Sequence, residues 1–237
     1  FYGLPKASKF YPISPKIGEK FKVEKFGFHG FAHQSMLSQL KDKSKGKVIT
    51  MQLGGGCSMT ASINGKPIET SMGFTPLEGL MMGTRSGSID PGIIFYLLKK
   101  GIKADEIEDL LNHESGLKGI IGTDDMQKIM EIKTEDSAFA LNIFCRNIAK
   151  YIGSYTALLG GLDIIVFGGG IGENNAFIRE QVISYFNFAG IYIDEKLNQS
   201  SIKHIQKISS VNSKAEIFII KPDEEFEIIK EVQMLLK

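Results

Sequence analysis

Residues 48–70 carry a pattern that leaves few choices of fold. Val48, Ile49, Met51 and Leu53 form a short apolar run with β-branched residues, the mark of a buried strand. Gly54, Gly55 and Gly56 follow at once. Residues 59–63 (Met-Thr-Ala-Ser-Ile) then alternate and end at Asn64-Gly65, the strongest short-range hairpin signal. Lys66-Pro67-Ile68-Glu69-Thr70 supplies a third strand. Strands joined by bends this tight run antiparallel. The triple-glycine bend can close backbone amides on an anion, or it can be a plain turn in a β-meander.

The segment that follows is too rich in Gly and Pro for a regular element and too apolar for an ordinary solvent loop. It reads SMGFTPLEGLMMGTRSG over residues 71–87, then reaches Asp90-Pro91. This run resembles the signature of the acetokinase family, a member of the actin-like ATPase superfamily. The likeness extends from Phe26 to the C-terminus. It implies an α/β fold: a ribonuclease-H-like lobe with a mixed sheet, three antiparallel strands followed by parallel strands, covered by helices. It also implies that residues 1–25 are a connector from an N-terminal lobe missing from this chain. Residues 26–237 are then the C-terminal, nucleotide-binding lobe.

Composition narrows the partners. A formal net charge of +1 favours neither nucleic acid nor a membrane surface. No apolar run reaches the length of a membrane span. Cys57 and Cys145 are too few for a disulfide framework and lack metal-ligand spacing, which suits a reducing cytoplasm.

Further motifs lie along the chain. Phe1 to Val23, with three prolines, reads as loops and one short helix. His29 and His33 are four apart and can share a helix face, as metal ligands do, but no third ligand lies near. The other reading is a helix start with two partly buried imidazoles. Gly27-Phe28-His29-Gly30 is also similar to the family's histidine motif, although Phe31-Ala32 stand where Thr-Ser is usual. Residues 91–100 and 105–112 read as short helices, the second with Ile107, Leu110 and Leu111 on one face. Residues 115–127 read as a glycine-punctuated loop entering a helix, with Thr123 and Asp124 as natural N-caps. They resemble a family stretch that lies along the nucleotide, with Gln127 in place of Arg.

Ser137 to Leu159 is the clearest helix. Leu141, Cys145, Ile148, Ile152, Tyr155 and Leu159 form one apolar stripe, which makes Cys145 a small core residue. Gly153-Ser154 within it suggests close packing, against a partner subunit for instance, and Gly160-Gly161 ends it. Residues 162–167 then form a buried strand, and Gly168-Gly169-Gly170-Ile171-Gly172-Glu173-Asn174 opens a helix. Such a junction suits an anion or nucleotide because unpaired amides point outward at the positive dipole end. It also resembles the family's adenosine-binding turn. A last strand at 215–220 leads through Lys221-Pro222-Asp223 into an acidic helix start at Glu224.

The resemblance implies ATP-dependent, magnesium-assisted phosphorylation of acetate to acetyl phosphate, reversible to ATP, by a homodimer joined through this lobe. Arg85 and His29 would act on the moving phosphoryl group. Gln52, Leu53, Gly54, Gly55 and Gly56 would face the nucleotide phosphates. Asp125, Met126 and Gln127, with Gly170, Ile171, Gly172, Glu173 and Asn174, would line the rest of the nucleotide, and Glu224 would orient magnesium. The first turn departs from the family's His-Leu-Gly-Asn-Gly, since Gln52 and Gly55 replace the imidazole and the amide. A propionate- or butyrate-type kinase, or a non-catalytic nucleotide-binding and dimerisation lobe, are the alternatives.

Overall fold

The computed structural model describes residue 1, residues 3–200 and residues 204–236. The chain opens with two short helices, α1 (Lys6–Lys9) and α2 (Pro15–Phe21), followed by α3 (Gly30–Gln39). Strands β1 (Lys47–Leu53), β2 (Cys57–Ile63) and β3 (Lys66–Thr70) come next. Five helices follow: α4 (Pro91–Lys99), α5 (Ala104–His113), α6 (Gly116–Ile121), α7 (Met126–Glu131) and α8 (Glu135–Leu159). The last part alternates as β4 (Ile164–Gly168), α9 (Gly169–Asn174), α10 (Ala176–Ser184), α11 (Glu195–Gln199), β5 (Ile205–Lys207), β6 (Glu216–Ile220) and α12 (Glu224–Leu235).

The strands form one six-stranded sheet in the order β3-β2-β1-β4-β6-β5. The expected antiparallel hairpins are present, with Asn64 at φ 52° and Gly65 at φ 74°, both left-handed as a tight hairpin turn requires. Pro67 lies opposite Ser62 where the β2–β3 register shifts. An edge strand at a bulge is where a residue without an N–H does least harm. Parallel pairing joins β1 to β4 and β4 to β6, and β5 returns antiparallel on the far edge. The chain is therefore of the expected mixed α/β class, with antiparallel and parallel strands in one sheet.

Alternation along the central strands divides the core between two faces. Ile49, Met51, Leu53, Ile165, Phe167, Ile217 and Ile219 face the layer containing α8 and α10. Val48, Ile164, Val166, Phe218 and Ile220 meet Met36 and Leu37 of α3, and Leu40 just after it, on the other side. All six residues of the expected α8 stripe are buried. The helix starts two residues earlier than its apolar pattern suggests, because Thr134 and Ser137 cap it reciprocally. Gly160, at φ 65°, ends it.

Several expectations need correction. The 115–127 stretch contains a helix of its own, α6, and the N-cap of α7 is Asp125 rather than Thr123 or Asp124. Gly153 and Ser154 are exposed, and a Cβ on Gly153 would meet nothing within 4 Å, so no close packing occurs there within the chain. The 1–23 segment holds two short helices and is tied down: Ser8 Oγ donates to Ile68 O at 2.6 Å and the Tyr11 hydroxyl donates to Glu78.

Candidate active site

The site is assembled on the ends of β1 and β4, where each strand runs into glycines. At the first end Gly54 N–H donates to Gly56 O at 3.1 Å, closing the turn on itself. Gly83 N–H donates to Gly55 O at 3.2 Å and docks the 71–87 segment onto that turn. The same segment is pinned from its other side by the start of α6. Leu117 N–H donates to Met82 O at 3.0 Å, Lys118 N–H to Gly83 O at 2.8 Å and Ser115 N–H to Thr84 O at 2.9 Å. Gly116 sits at φ +62° with a prospective Cβ only 2.2 Å from Met82 O, so only glycine permits this approach. The short α6 thus acts as a clamp on the loop that carries Arg85.

His29 and Arg85 converge on the glycine turn. A Cβ built on Gly56 would lie 3.4 Å from His29 Cε1, 3.6 Å from His29 Nε2 and 3.5 Å from Arg85 Nη1. Gly56 therefore leaves open the point that an imidazole and a guanidinium both face. Arg85 is half-buried, its Nη1 lies 3.6 Å from Met82 Sδ, and among the described residues it has no ion-pair partner. A partly buried guanidinium without a carboxylate is suited to an anion brought by a ligand. His29 is the N-cap of α3 in a left-handed conformation, φ 59° and ψ 29°, uncommon for a residue with a side chain. Burial lowers its pKa, the Glu224 carboxylate works in the opposite direction, and Arg85 adds to the lowering. Glu224 on α12 is thus within electrostatic reach of the same point.

The second glycine junction abuts the first. Gly169 is at φ +77°, and a Cβ there would stand 2.6 Å from Leu53 O and 2.8 Å from Gln52 Nε2. Gly170 N lies 4.0 Å from the Cβ position of Gly54. The loops after β1 and β4, adjacent parallel strands, therefore share one edge of the sheet. Gly169→Ala is expected to lower the stability of the chain by about 2 kcal/mol or more, since strain and a backbone clash coincide. Urea unfolding followed by circular dichroism checks it.

The expected site residues divide into groups. His29, Gly54, Gly55, Gly56, Arg85 and Gly170 are brought together, with Glu224 nearby, whereas the Leu53 side chain is buried in the core. Gln52 does not reach outward as an open ligand; its Nε2 packs beneath Gly169 and its Oε1 is buried without a hydrogen bond. Asp125 spends Oδ1 capping α7, accepting from Gln127 N–H at 3.0 Å, while Asp124 closes on Gly83. Met126 points into the core and only Gln127 of that trio is exposed. Asn174 turns back to donate to Gly170 O at 3.0 Å, while Ile171 and Gly172 pack inward and burial raises the pKa of Glu173.

Sequence reasoning missed Arg179. It is 2% exposed, and among the described residues its cation has no ion-pair partner. It donates to Gly172 O at 2.9 Å, Glu173 O at 2.7 Å, Asn198 Oδ1 at 2.7 Å and Asn198 O at 2.7 Å. The end of the GGGIGEN turn is thereby tied to α10 and α11. Burial pulls the Arg179 pKa down to about 10, which leaves it charged near neutral pH. An arginine among Ile178, Val182 and Ile183 was the available signal. Also missed were Ser58 and Thr50, which contact the two histidines.

Known proteins resemble this chain in sequence and fold. The chain is 44% identical over 240 residues to acetate kinase of Sulfurimonas denitrificans, covering 99% of this chain and 61% of that one. It is 43% identical to acetate kinase of Lawsonia intracellularis, covering 96% of this chain and 58% of that one. It thus spans about three fifths of the length of the curated relatives it matches. The crystal structure of Porphyromonas gingivalis acetate kinase superposes with a TM-score of 0.94 at 35% identity, covering 100% of this chain and 62% of that one. A propionate kinase from Francisella tularensis superposes with a TM-score of 0.89 at 40% identity, covering 95% and 59%. The family model described as the acetokinase family matches residues 1–230, and this chain belongs to that family.

Proposed function

We propose that this chain is the C-terminal, nucleotide-binding lobe of a kinase that phosphorylates acetate, ATP + acetate ⇌ ADP + acetyl phosphate. The observation that carries the reading is the convergence of His29 and Arg85 on the point left open by Gly56. Phosphoryl transfer asks a protein mainly for positioning and charge stabilisation. A carboxylate oxygen of acetate forms the new P–O bond as the bond from phosphorus to the β–γ bridging oxygen breaks, and ADP leaves with that oxygen. Arg85 forks onto equatorial oxygens of the moving group, where charge is spread. His29 contacts it from the side of α3. Amides of the Gly54–Gly56 turn face the nucleotide phosphates, and the Gly170–Asn174 turn and the start of α7 border the nucleoside.

Magnesium takes one or two carboxylates plus substrate phosphates and keeps its remaining waters. The exposed Glu224 carboxylate, on the side of His29 and Arg85, fits that sparse requirement. Bound there, the cation would neutralise charge on the phosphates.

A propionate-type kinase is the second reading, raised by the 40% identity to a solved propionate kinase, which lies between the 35% and 44% identities to acetate kinases. One CH₂ is worth only about 0.8 kcal/mol of burial, so the two substrates differ little for a pocket. Residues 1–25 act as the connector to an N-terminal lobe and residues 26–237 as this lobe. The exposed strip around Gly153 and Ser154 serves as part of a homodimer contact. A cytoplasmic home agrees with two free, buried cysteines whose thiols burial pushes up to about 12.

A hydroxamate trap for acyl phosphate, run with acetate and propionate on the full-length gene product and on this chain side by side, tests the proposal. The full-length protein is expected to turn over at roughly 1–100 s⁻¹ with one of the two acids. This chain alone is expected to give none, because a two-lobed kinase closes its site between lobes. Absence of turnover in the full-length protein, with nucleotide still bound, would leave a non-catalytic nucleotide-binding lobe. A further expected outcome concerns Gly55, where a Cβ would meet nothing within 4 Å. Gly55→Asn is expected to tighten ATP binding by about 1 kcal/mol, since it adds one side-chain donor beside the phosphates. Calorimetric titration measures it, and weaker binding would count against this placement of the phosphates.

A further inference from the structure

Behind His29 lies a continuous buried row of hydrogen-bonding groups. α3 places His29 and His33 one turn apart on the face that meets β1 and β2. Thr50 Oγ1 and His33 Nδ1 are 2.8 Å apart, His33 Nε2 and Ser58 Oγ 2.8 Å, and Ser58 Oγ and His29 Nδ1 2.8 Å. Thr50 and Ser58 are 0% exposed and His33 is 2% exposed. Complete burial, aided by His29, pushes the His33 pKa down to about 3, so this ring is neutral. Each hydroxyl has one proton to give and a neutral imidazole has one, so if the buried Ser58 proton is to be bonded within the row, only two directions remain.

Thr50 decides between them. Among the described residues its sole alternative acceptor is Thr60 O, at 3.5 Å, well beyond the usual 2.5–3.0 Å for O–H···O. If Thr50 donated there, its buried proton would be nearly unbonded, which is the costly case for a hydrogen bond. If Thr50 donates to His33 Nδ1 instead, all three fully enclosed protons meet acceptors at 2.8 Å, and the fourth, on His29 Nε2, is left at the open point beside Gly56. The direction is then Thr50 to His33, His33 to Ser58, and Ser58 to His29 Nδ1.

We propose that Thr50, His33 and Ser58 are positioning residues that hold His29 as its neutral Nε2–H tautomer, with that N–H facing the point shared by Gly56 and Arg85. The charged groups that act on His29 are Glu224 from α12 and Arg85 from the 71–87 segment, and His33 shares its helix. Preset in this way, His29 offers a hydrogen bond to an anion without first taking a proton from solvent. The use of that bond in phosphoryl transfer rests on the kinase reading; the tautomer does not.

Long-range ¹H–¹⁵N spectra of this chain, labelled at histidine and recorded at neutral pH, test the tautomers directly. His29 and His33 are both expected to carry the proton on Nε2 with Nδ1 bare. A proton on Nδ1 of either ring, or an imidazolium at His29, overturns the proposal. Ser58→Ala removes the donor to His29 Nδ1 and is expected to bring in a measurable Nδ1–H population at His29, which Ser58→Thr suppresses. An unaltered His29 spectrum in a folded Ser58→Ala chain also overturns it. In the full-length enzyme Ser58→Ala is expected to lower kcat about tenfold while the KM for ATP stays within about twofold, as loss of a histidine's orienting partner does. An unchanged kcat overturns the catalytic use of the bond. If the spectra are as expected but the full-length protein shows no acyl phosphate synthesis, the kinase reading fails and the positioning role stands.

Discussion

Arg85→Ala in the full-length protein is expected to lower kcat by about 10³-fold, with the KM for ATP nearly unchanged. On the proposed reading the nucleotide is held by the two glycine turns, whose contacts would be mostly backbone. In the proposed reaction the guanidinium would act on charge that develops as the phosphoryl group moves, and contacts made only then act on kcat. Its geometry supports this use, because Arg85 faces the same point as His29 and has no carboxylate of its own among the described residues. Removing it should disturb the fold little, since the loop is fastened through the carbonyls of Met82, Gly83 and Thr84 rather than through this side chain. Steady-state kinetics with circular dichroism on the variant decide the matter. A kcat within a few-fold of the parent, with the fold intact, would remove Arg85 from the chemistry.

Arg179→Leu should be the most damaging substitution for stability, costing about 3–5 kcal/mol. Four acceptors at 2.7–2.9 Å lose their donor together, and three of them are backbone carbonyls in the GGGIGEN turn and α11. Leucine fills much of the volume but offers no proton, so the cost lies in unsatisfied buried oxygens. Arg179→Lys keeps a charge but cannot fork to several acceptors, and should recover only part of the loss. Urea denaturation of this chain gives the ranking parent, lysine, leucine. If the leucine variant were as stable as the parent, the carbonyls would have to be satisfied by other means and Arg179 would be no anchor.

The parts of this fold legible in the sequence are those whose stability is local or periodic. The α8 stripe announces itself because a helix buried along one face must repeat its apolar residues every three or four positions. Asn64-Gly65 announces the hairpin because few other pairs accept two left-handed residues in succession. Elements that exist through contacts distant in sequence were harder to read. α6 begins at a glycine and depends on bonds to the carbonyls of the Arg85 loop, so no propensity marks it. β5 is three residues long and is a strand only because β6 lies beside it. Thr123, Asp124 and Asp125 can all cap a helix, and local chemistry could not choose among them. In the site, His29, Arg85 and the glycines were found through motif likeness, whereas Arg179, Ser58 and Thr50 act through contacts that only the folded chain creates.

The pairing of β1 with β4 joins residues more than a hundred positions apart, Val48 with Ile164 for instance. The β1–β2–β3 hairpins can close early, because their partners are neighbours in the chain. The free edge of β1 must then wait for the segment beyond α8 before its amides find partners. Such long-range parallel closure is intrinsically slow, and an unpaired apolar edge is exposed to other chains meanwhile. Refolding yield should therefore fall as protein concentration rises. The glycine turn and the GGGIGEN turn come together in the same late step, so the edge proposed to hold phosphates appears only when β1 and β4 have paired.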